Sequence, residues 1–136
     1  ENLEFVEYNF DMPLKMAAAD LTITRAGAMT VTELASTGKC AIFIPSPNVA
    51  ENHQYKNAKV LVDVGGALLF EEKDLTDDAK PLTQKVSELL CPTGDSVRAE
   101  MTEKIRPFAL DNVNRRIYDD LCALVREKSL AKAKKK

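Results

Sequence analysis

The sequence predicts an α/β fold in which a parallel β-sheet is flanked by helices. Short β-rich runs alternate with segments whose apolar residues recur at helical spacing. Two of these runs, "LTIT" and "CAIFI", are almost wholly apolar, as strands covered on both faces tend to be. A strand followed by a helix, repeated along the chain, is typical of a parallel sheet with right-handed crossovers.

The first half of the chain contains all the predicted strands. We expect strands at residues 3–7, 21–24, 40–44 and 67–70. We expect helices between them at residues 12–19, 29–36 and 53–64. The strands at 21–24 and 40–44 should be the two that are covered on both faces.

Residues 71–136 are predicted to be mainly helical. Pro81 suits the first turn of a helix over residues 81–90, since proline lacks the N–H that a helix start leaves unpaired. A second helix is predicted at residues 97–105, capped by Asp95 or Ser96 and ended by Pro107. A longer helix follows, capped by Asp111 or Asn112. Its apolar residues form one stripe, namely Val113, Ile117, Leu121, Leu124 and Val125. Without a repeat or a linker-like segment, residues 1–136 are expected to form a single domain.

Composition narrows the class of protein. The 136 residues are 45% hydrophobic and 29% charged, which is typical of one compact domain with a core. A formal net charge of -2 gives no overall field that attracts nucleic acid, so any phosphate must be bound locally. Cys40, Cys91 and Cys122 are widely spaced in apolar surroundings, which predicts reduced core thiols in the cytosol rather than disulfides or a zinc site.

Membrane signals are weak. No apolar run reaches the roughly 20 residues that span a bilayer, and no signal-peptide pattern opens the sequence, so we expect a soluble product. The terminal run "AKAKKK" has two interpretations. It is either a solvated helix end that suits the helix dipole or a weak contact with an anionic leaflet.

The segment "TRAGAMTVTE", residues 24–33, carries the first candidate site. A strand ending at Thr24, a turn over residues 25–28 and a helix starting near Met29 place free backbone amides at the carboxyl end of a parallel strand. Gly27, between two alanines, leaves room for a diphosphate to reach these amides at the positive end of the helix dipole. The turn therefore predicts a phosphate-binding helix start.

Two side chains extend this candidate site along the helix. The Thr30 hydroxyl can reach the same phosphate oxygens, and Glu33, one turn further, can accept two hydrogen bonds from vicinal ribose hydroxyls. The alternative is that Thr30 and Glu33 form only a capping pair at a helix start. Both interpretations stay open on local chemistry.

A second polar group follows the next strand. The loop after "CAIFI" contains Pro45 and Pro47 and then polar residues at the start of a helix, namely Asn48, Glu51, Asn52, His53 and Gln54. Because the carboxyl ends of parallel strands lie at one edge of a sheet, His53 and Gln54 can share a crevice with the first turn and bind a sugar.

The combination of "RAGAMTVTE", "IPSPN" and "NHQYKNA" resembles the carboxyl-terminal, donor-binding half of the MurG family of bacterial peptidoglycan N-acetylglucosaminyltransferases. The similarity runs from Val6 to Phe70. It implies a Rossmann-like sheet of the GT-B fold. It also implies transfer of N-acetylglucosamine from UDP-N-acetylglucosamine to lipid I, with inversion, to give lipid II. No metal ion and no cofactor besides the donor substrate are implied.

The resemblance assigns donor-binding roles by position. Asn9 matches the residue whose backbone meets the uracil, and Glu33 matches the acid that binds the ribose. The helix-start contacts to the diphosphate match Ala28, Met29 and Thr30. His53 and Gln54 match a pair of glutamines that hold the N-acetylglucosamine hydroxyls, so His53 departs from the pattern.

The resemblance also implies parts that these residues do not supply. In the family, the general base and the groove for the lipid-linked muramoyl-pentapeptide lie in the amino-terminal half, so no catalytic residue is assigned in this chain. The expected setting is the cytoplasmic face of the membrane, as a peripheral protein. We expect a fragment of a longer enzyme that is inactive alone. The alternatives are a subunit of a two-chain enzyme, as in the eukaryotic pair that builds dolichol-linked sugars, or a non-enzymatic α/β interaction module.

Overall fold

The computed structural model describes residues 2–75 and 79–133, with side chains described as far as residue 128. It contains a three-stranded parallel sheet in the order β1-β2-β3. The strands are β1 (Thr22–Thr24), β2 (Ala41–Phe43) and β3 (Ala67–Leu69). The helices are α1 (Met12–Ala18), α2 (Ala28–Thr37), α3 (His53–Val62), α4 (Lys80–Leu90), α5 (Gly94–Ile105) and α6 (Val113–Ala133). The predicted α/β class and helical second half are confirmed.

The core lies on both faces of β2, whose residues are all buried. Phe43 packs on one side with Leu34 of α2 and Leu61 of α3. On the other side, Ile42 packs with Leu89 of α4 and Met101 of α5. Because neighbouring residues of a strand point to opposite faces, two helical layers can cover the same short strand. This is the environment that the apolar run "CAIFI" predicted.

Two strand predictions are wrong. Residues 3–7 form no strand, and their apolar side chains, such as Leu3 and Phe5, are exposed. A strand needs a partner to satisfy its backbone groups, and the described sheet contains only β1, β2 and β3. The expectation that β1 is covered on both faces also fails, because Ile23 on this edge strand is 46% exposed.

The start of α5 differs from the sequence prediction. The helix begins at Gly94 and its N-cap residue is Thr93, so neither Asp95 nor Ser96 caps it. Asp95 instead pairs with Arg98 at 2.8 Å. Arg98 also donates to the carbonyl oxygen of Leu89, at the end of α4. The close packing of the two helices therefore sets where α5 starts.

The cysteine prediction holds for one residue of the three. Cys40 is buried in the core, whereas Cys91 and Cys122 are only partly buried. All three are free thiols. Within the described part of the chain, no helix is long and apolar enough to cross a membrane.

Candidate functional site

The start of α2 presents unpaired backbone amides at the carboxyl end of β1. Its N-cap is Gly27, at φ -62 and ψ 146, and no side chain caps the helix. The first hydrogen bond of the helix runs from the Val31 amide to the Gly27 carbonyl oxygen at 3.0 Å. The amides of Ala28, Met29 and Thr30 therefore have no acceptor within the helix. The helix starts one residue before the predicted Met29 and exposes the groups that an anion needs.

Space above this turn is open. A Cβ placed on Gly27 would meet nothing nearer than the Thr30 hydroxyl, at 3.7 Å. Ala28 is exposed, and Met29 is 72% exposed. The Thr30 hydroxyl thus lies over the same turn as the free amides. A small anionic group can approach all of them without displacing a side chain.

The backbone of the turn is held by groups outside it. Ala26 is fully buried, and its carbonyl oxygen accepts a hydrogen bond from Asn57 Nδ2 of α3 at 3.2 Å. The Thr24 hydroxyl donates to the Arg25 carbonyl oxygen at 3.1 Å. Asn57 was not among the residues predicted from the sequence. A signal was present, because Asn57 lies four residues after His53 and so shares its helix face.

Glu33 lies on α2, one turn beyond the free amides, and its side chain is exposed. Among the residues that the structure describes, no donor contacts its carboxylate. The capping alternative is wrong, because the helix starts at Ala28 and Thr30 is the third residue inside it rather than its cap. Thr30 and Glu33 therefore stand on one helix without a capping role. Their polar groups stay available to a ligand.

The start of α3 contributes polar side chains to the candidate site. It follows a 3-10 turn, Ala50–Asn52, in which Glu51 and Asn52 have φ of 53 and 52. Left-handed backbone at two successive residues other than glycine is uncommon and often marks a functional loop. The loop and the helix start are therefore held in an unusual conformation next to the strand ends.

The two predicted sugar-binding residues have one polar atom each engaged within the protein. His53 Nδ1 lies 2.9 Å from the Ala50 carbonyl oxygen, so this nitrogen donates and, in the neutral ring, Nε2 is left as an acceptor. The Gln54 Oε1 atom accepts from the Ser46 amide at 2.9 Å, which leaves its NH2 group as a donor. One acceptor and one donor remain to bind a hydroxyl-rich ligand.

Asn9 lies apart from these contacts, in the segment before α1. Its Oδ1 accepts a hydrogen bond from the Asp11 amide at 3.1 Å, just before the helix. α1 packs against α2, so the Asn9 segment precedes a helix that contacts the candidate site. The described hydrogen bonds do not link Asn9 itself to the turn at residues 25–28.

Cavities open at this edge of the sheet, but the predicted residues do not line one common cavity. A cavity of 230 Å³ lies between the loop after β2 and the segment after β3, lined by Pro45, Ser46, Pro47, Asn52, Tyr55, Glu71, Glu72 and Lys73. A second, of 470 Å³, is lined by Ile23, Thr24, Arg25, Ile44, Glu72 and Leu75. Ala28 lines a third, of 190 Å³, with Asn57. The hydrogen bond that Lys73 donates to Glu71 holds the pKa of the lysine above its usual value. The rim of the first cavity therefore carries one lysine beside two glutamates.

No metal site accompanies these groups in the described ranges 2–75 and 79–133. No set of three or more histidine, cysteine, aspartate or glutamate side chains there lies close enough to hold an ion. The polar groups at the strand ends are amides, hydroxyls and single carboxylates. They suit an organic anion that carries hydroxyl groups.

Comparison with known proteins gives a family and a fold match. Residues 1–115 match the glycosyltransferase family 28 C-terminal domain. The chain is 40% identical over 126 residues to the UDP-N-acetylglucosamine--N-acetylmuramyl-(pentapeptide) pyrophosphoryl-undecaprenol N-acetylglucosamine transferase of Flavobacterium psychrophilum, covering 92% of this chain and 33% of the relative. The transferase of the same name from Cupriavidus necator is 38% identical over 127 residues, with 93% and 33% coverage.

The structural comparison agrees. The crystal structure of Acinetobacter baumannii MurG matches with a TM-score of 0.71 and 35% identity, over 84% of this chain and 33% of that one. The resemblance found in the sequence and the fold it implied are thus confirmed. The chain spans about a third of the length of the relatives it matches.

Proposed function

Because the chain belongs to the glycosyltransferase family 28 C-terminal domain family, we propose that it is the donor-binding part of an enzyme that transfers N-acetylglucosamine from UDP-N-acetylglucosamine. The acceptor we propose is the lipid-linked muramoyl-pentapeptide named for the relatives, at the cytoplasmic face of the membrane. The observation that carries this proposal is the uncapped start of α2, with Glu33 unpaired one turn beyond it.

The proposed binding mode uses groups that remain free in the structure. The amides of Ala28, Met29 and Thr30 bind the diphosphate, since an uncapped helix start is a ready anion site. The Glu33 carboxylate accepts hydrogen bonds from both ribose hydroxyls.

The two ends of the donor are assigned to other elements. The NH2 group of Gln54 and the Nε2 atom of His53 bind the sugar hydroxyls. The backbone at Asn9 meets the uracil, an assignment that rests on the family resemblance alone.

The mechanism that follows for this chain is electrostatic. As the bond between the sugar and UDP breaks, negative charge grows on the leaving diphosphate. Amides already held in place at the start of α2 stabilise this charge without reorganising, because Asn57 and buried Ala26 fix the turn. The general base that activates the acceptor hydroxyl is assigned to a part of the enzyme outside this chain.

Calorimetric titration of this chain with UDP-N-acetylglucosamine and with UDP-glucose tests the proposal. We expect tighter binding of the N-acetyl sugar. The Glu33→Ala variant should bind at least about tenfold more weakly, because two hydrogen bonds to a charged group are lost. Glu127→Ala, at an exposed position of α6, is the matched control and should bind like the parent.

Two results would count against the proposal in different ways. If Glu33→Ala binds as tightly as the parent, the ribose assignment is wrong. If the parent binds neither sugar nucleotide, the titration is repeated with the amino-terminal part of the Flavobacterium relative added. If binding is still absent, the donor-site assignment is wrong. The alternative of a two-chain enzyme that uses the same donor would then be wrong as well.

A further inference from the structure

Groups from the ends of all three strands meet beside the turn that precedes α2. Arg25 follows β1 directly and donates from Nη1 to the Ile44 carbonyl oxygen, just past β2, at 3.1 Å. Its Nη2 forms an ion pair with the carboxylate of Glu72, in the 3-10 turn Glu72–Asp74 after β3. We call Arg25, Ile44 and Glu72 the strand-end cluster. It connects the carboxyl ends of β1, β2 and β3 through one guanidinium.

The strand-end cluster forms the wall between two cavities. Glu72 lines both the 230 Å³ cavity and the 470 Å³ cavity, and Arg25 lines the larger one. The position of the Glu72 carboxylate therefore affects the shape of both. Neighbouring Glu71 lines only the smaller cavity and pairs with Lys73 at 3.0 Å.

Arg25 has its two terminal nitrogens engaged inside the protein. A planar guanidinium can reach two acceptors at once, and here those acceptors are Ile44 and Glu72. Arg25 is also the first residue of the turn at 25–28, and Asn57 holds the second, Ala26. The strand-end cluster and Asn57 therefore fix consecutive residues of the turn from two directions.

We propose that Glu72 is a positioning residue, which holds Arg25 and through it the backbone of the turn that presents the amides of α2. The effect of Glu72 on donor binding rests on the function proposed above, whereas its effect on the turn is independent of that function. The role is local, because the Arg25 and Glu72 side chains are 52% and 37% exposed, and exposed ion pairs contribute little to global stability.

Amide NMR spectra of the Glu72→Gln variant test the proposal, with Glu71→Gln as the matched control. Glu72→Gln keeps the shape of the side chain and removes its charge. We expect shifted and more rapidly exchanging amides at residues 25–28 in Glu72→Gln and not in Glu71→Gln. The melting temperature should fall by about 3 °C or less in either variant. The Kd for UDP-N-acetylglucosamine should rise about fivefold in Glu72→Gln alone.

Arg25→Lys separates positioning from direct phosphate contact. A lysine carries the same charge but cannot reach both Ile44 and Glu72 as a fork, so we expect it to perturb residues 25–28 as Glu72→Gln does. If Arg25 were a phosphate ligand, the lysine variant would bind donor nearly normally. Glu72→Gln would then release the guanidinium and tighten binding, with a steeper dependence on salt.

The outcomes distinguish this proposal from the function on which it rests. Unchanged amides at residues 25–28 in Glu72→Gln, or tighter donor binding in that variant, would overturn the positioning role. Shifted amides in a parent chain that binds no donor would support the positioning role and count against the donor site. If Glu71→Gln perturbs the same amides equally, the effect comes from the loss of any nearby charge. That result would also overturn the positioning role of Glu72.

Discussion

A glycine lies at the start of α2 and another at the start of α5, and the two starts differ in what surrounds that residue. At α2, Gly27 is the N-cap and the space where its side chain would lie is open. At α5, Gly94 is the first helical residue and is buried, and a Cβ there would overlap the carbonyl oxygens of Glu88 and Leu89. One glycine permits close packing of helices, and the other leaves the helix start accessible. A glycine at a helix start is therefore compatible with a ligand site only when the space around it is open.

The largest effect is expected at the closely packed start of α5. Gly94→Ala should lower the free energy of unfolding by about 3 kcal/mol, because the new methyl group meets backbone at the end of α4 that cannot move aside. Urea unfolding measures the change in midpoint. A loss below about 0.5 kcal/mol would show that the α4–α5 corner is looser than the structure indicates.

The same substitution at the open start should affect binding instead. Gly27→Ala fits the extended backbone, and the weaker cap offsets the lower entropy of the unfolded chain, so stability should change by about 0.5 kcal/mol or less. The methyl group would stand between the diphosphate and the amides and raise the Kd for UDP-N-acetylglucosamine about tenfold. If this variant binds the donor normally, the assignment of the diphosphate to the turn is wrong.

A smaller effect is expected from one hydroxyl at the open start. Thr30→Val keeps the shape of the side chain and should raise the Kd about fivefold, because it removes the hydrogen bond proposed from Thr30 to the phosphate. Thr32→Val is the matched control, since the Thr32 hydroxyl already donates to the Ala28 carbonyl oxygen at 3.0 Å. Calorimetry compares the two. Equal losses in both variants would indicate a general disturbance of α2 rather than a phosphate contact.

The smallest effect is expected on the reactivity of the Cys91 thiol, just before the start of α5. The hydroxyl of Thr93 lies 3.0 Å from Cys91 Sγ and lowers the pKa of that thiol, whereas burial raises the pKa of the Cys40 thiol. Cys91 should therefore alkylate faster than Cys40, with a midpoint at lower pH than an ordinary thiol. Thr93→Val should raise that midpoint. Peptide mass spectrometry across pH follows both thiols, and equal rates for Cys91 and Cys40 would contradict the assignment.

The sequence predicted features that depend on neighbouring residues along the chain. Strand β2 was predictable because an unbroken apolar run is stable only where both faces are covered. The open turn before α2 was predictable because Gly27 follows a strand and precedes a helix. The strand predicted at residues 3–7 is absent because strand formation depends on an available partner, which a short β-rich run does not reveal.

Features that join distant parts of the chain were not predictable. Thr93 is a weaker cap by sequence than Asp95, yet packing against α4 selects it. Asn57 and Ala26 are 31 residues apart, and Glu72 meets Arg25 only after the sheet has formed. Local patterns therefore predicted the candidate turn at residues 25–28, whereas the groups that hold it in place became visible only in three dimensions.

The apolar stripe of α6 has a consequence for how the chain unfolds. From Val113 to Lys128 every described side chain is exposed except the partly buried Cys122, so burial against the sheet contributes little to this helix. Most of the stability of a helix in a protein comes from packing of its apolar face, so a helix whose described side chains are this exposed is only weakly stabilised. Its amides should exchange with deuterium far sooner than those of α2 and α3. Helical signal should then be lost gradually on heating, before the cooperative transition of the sheet and its covering helices.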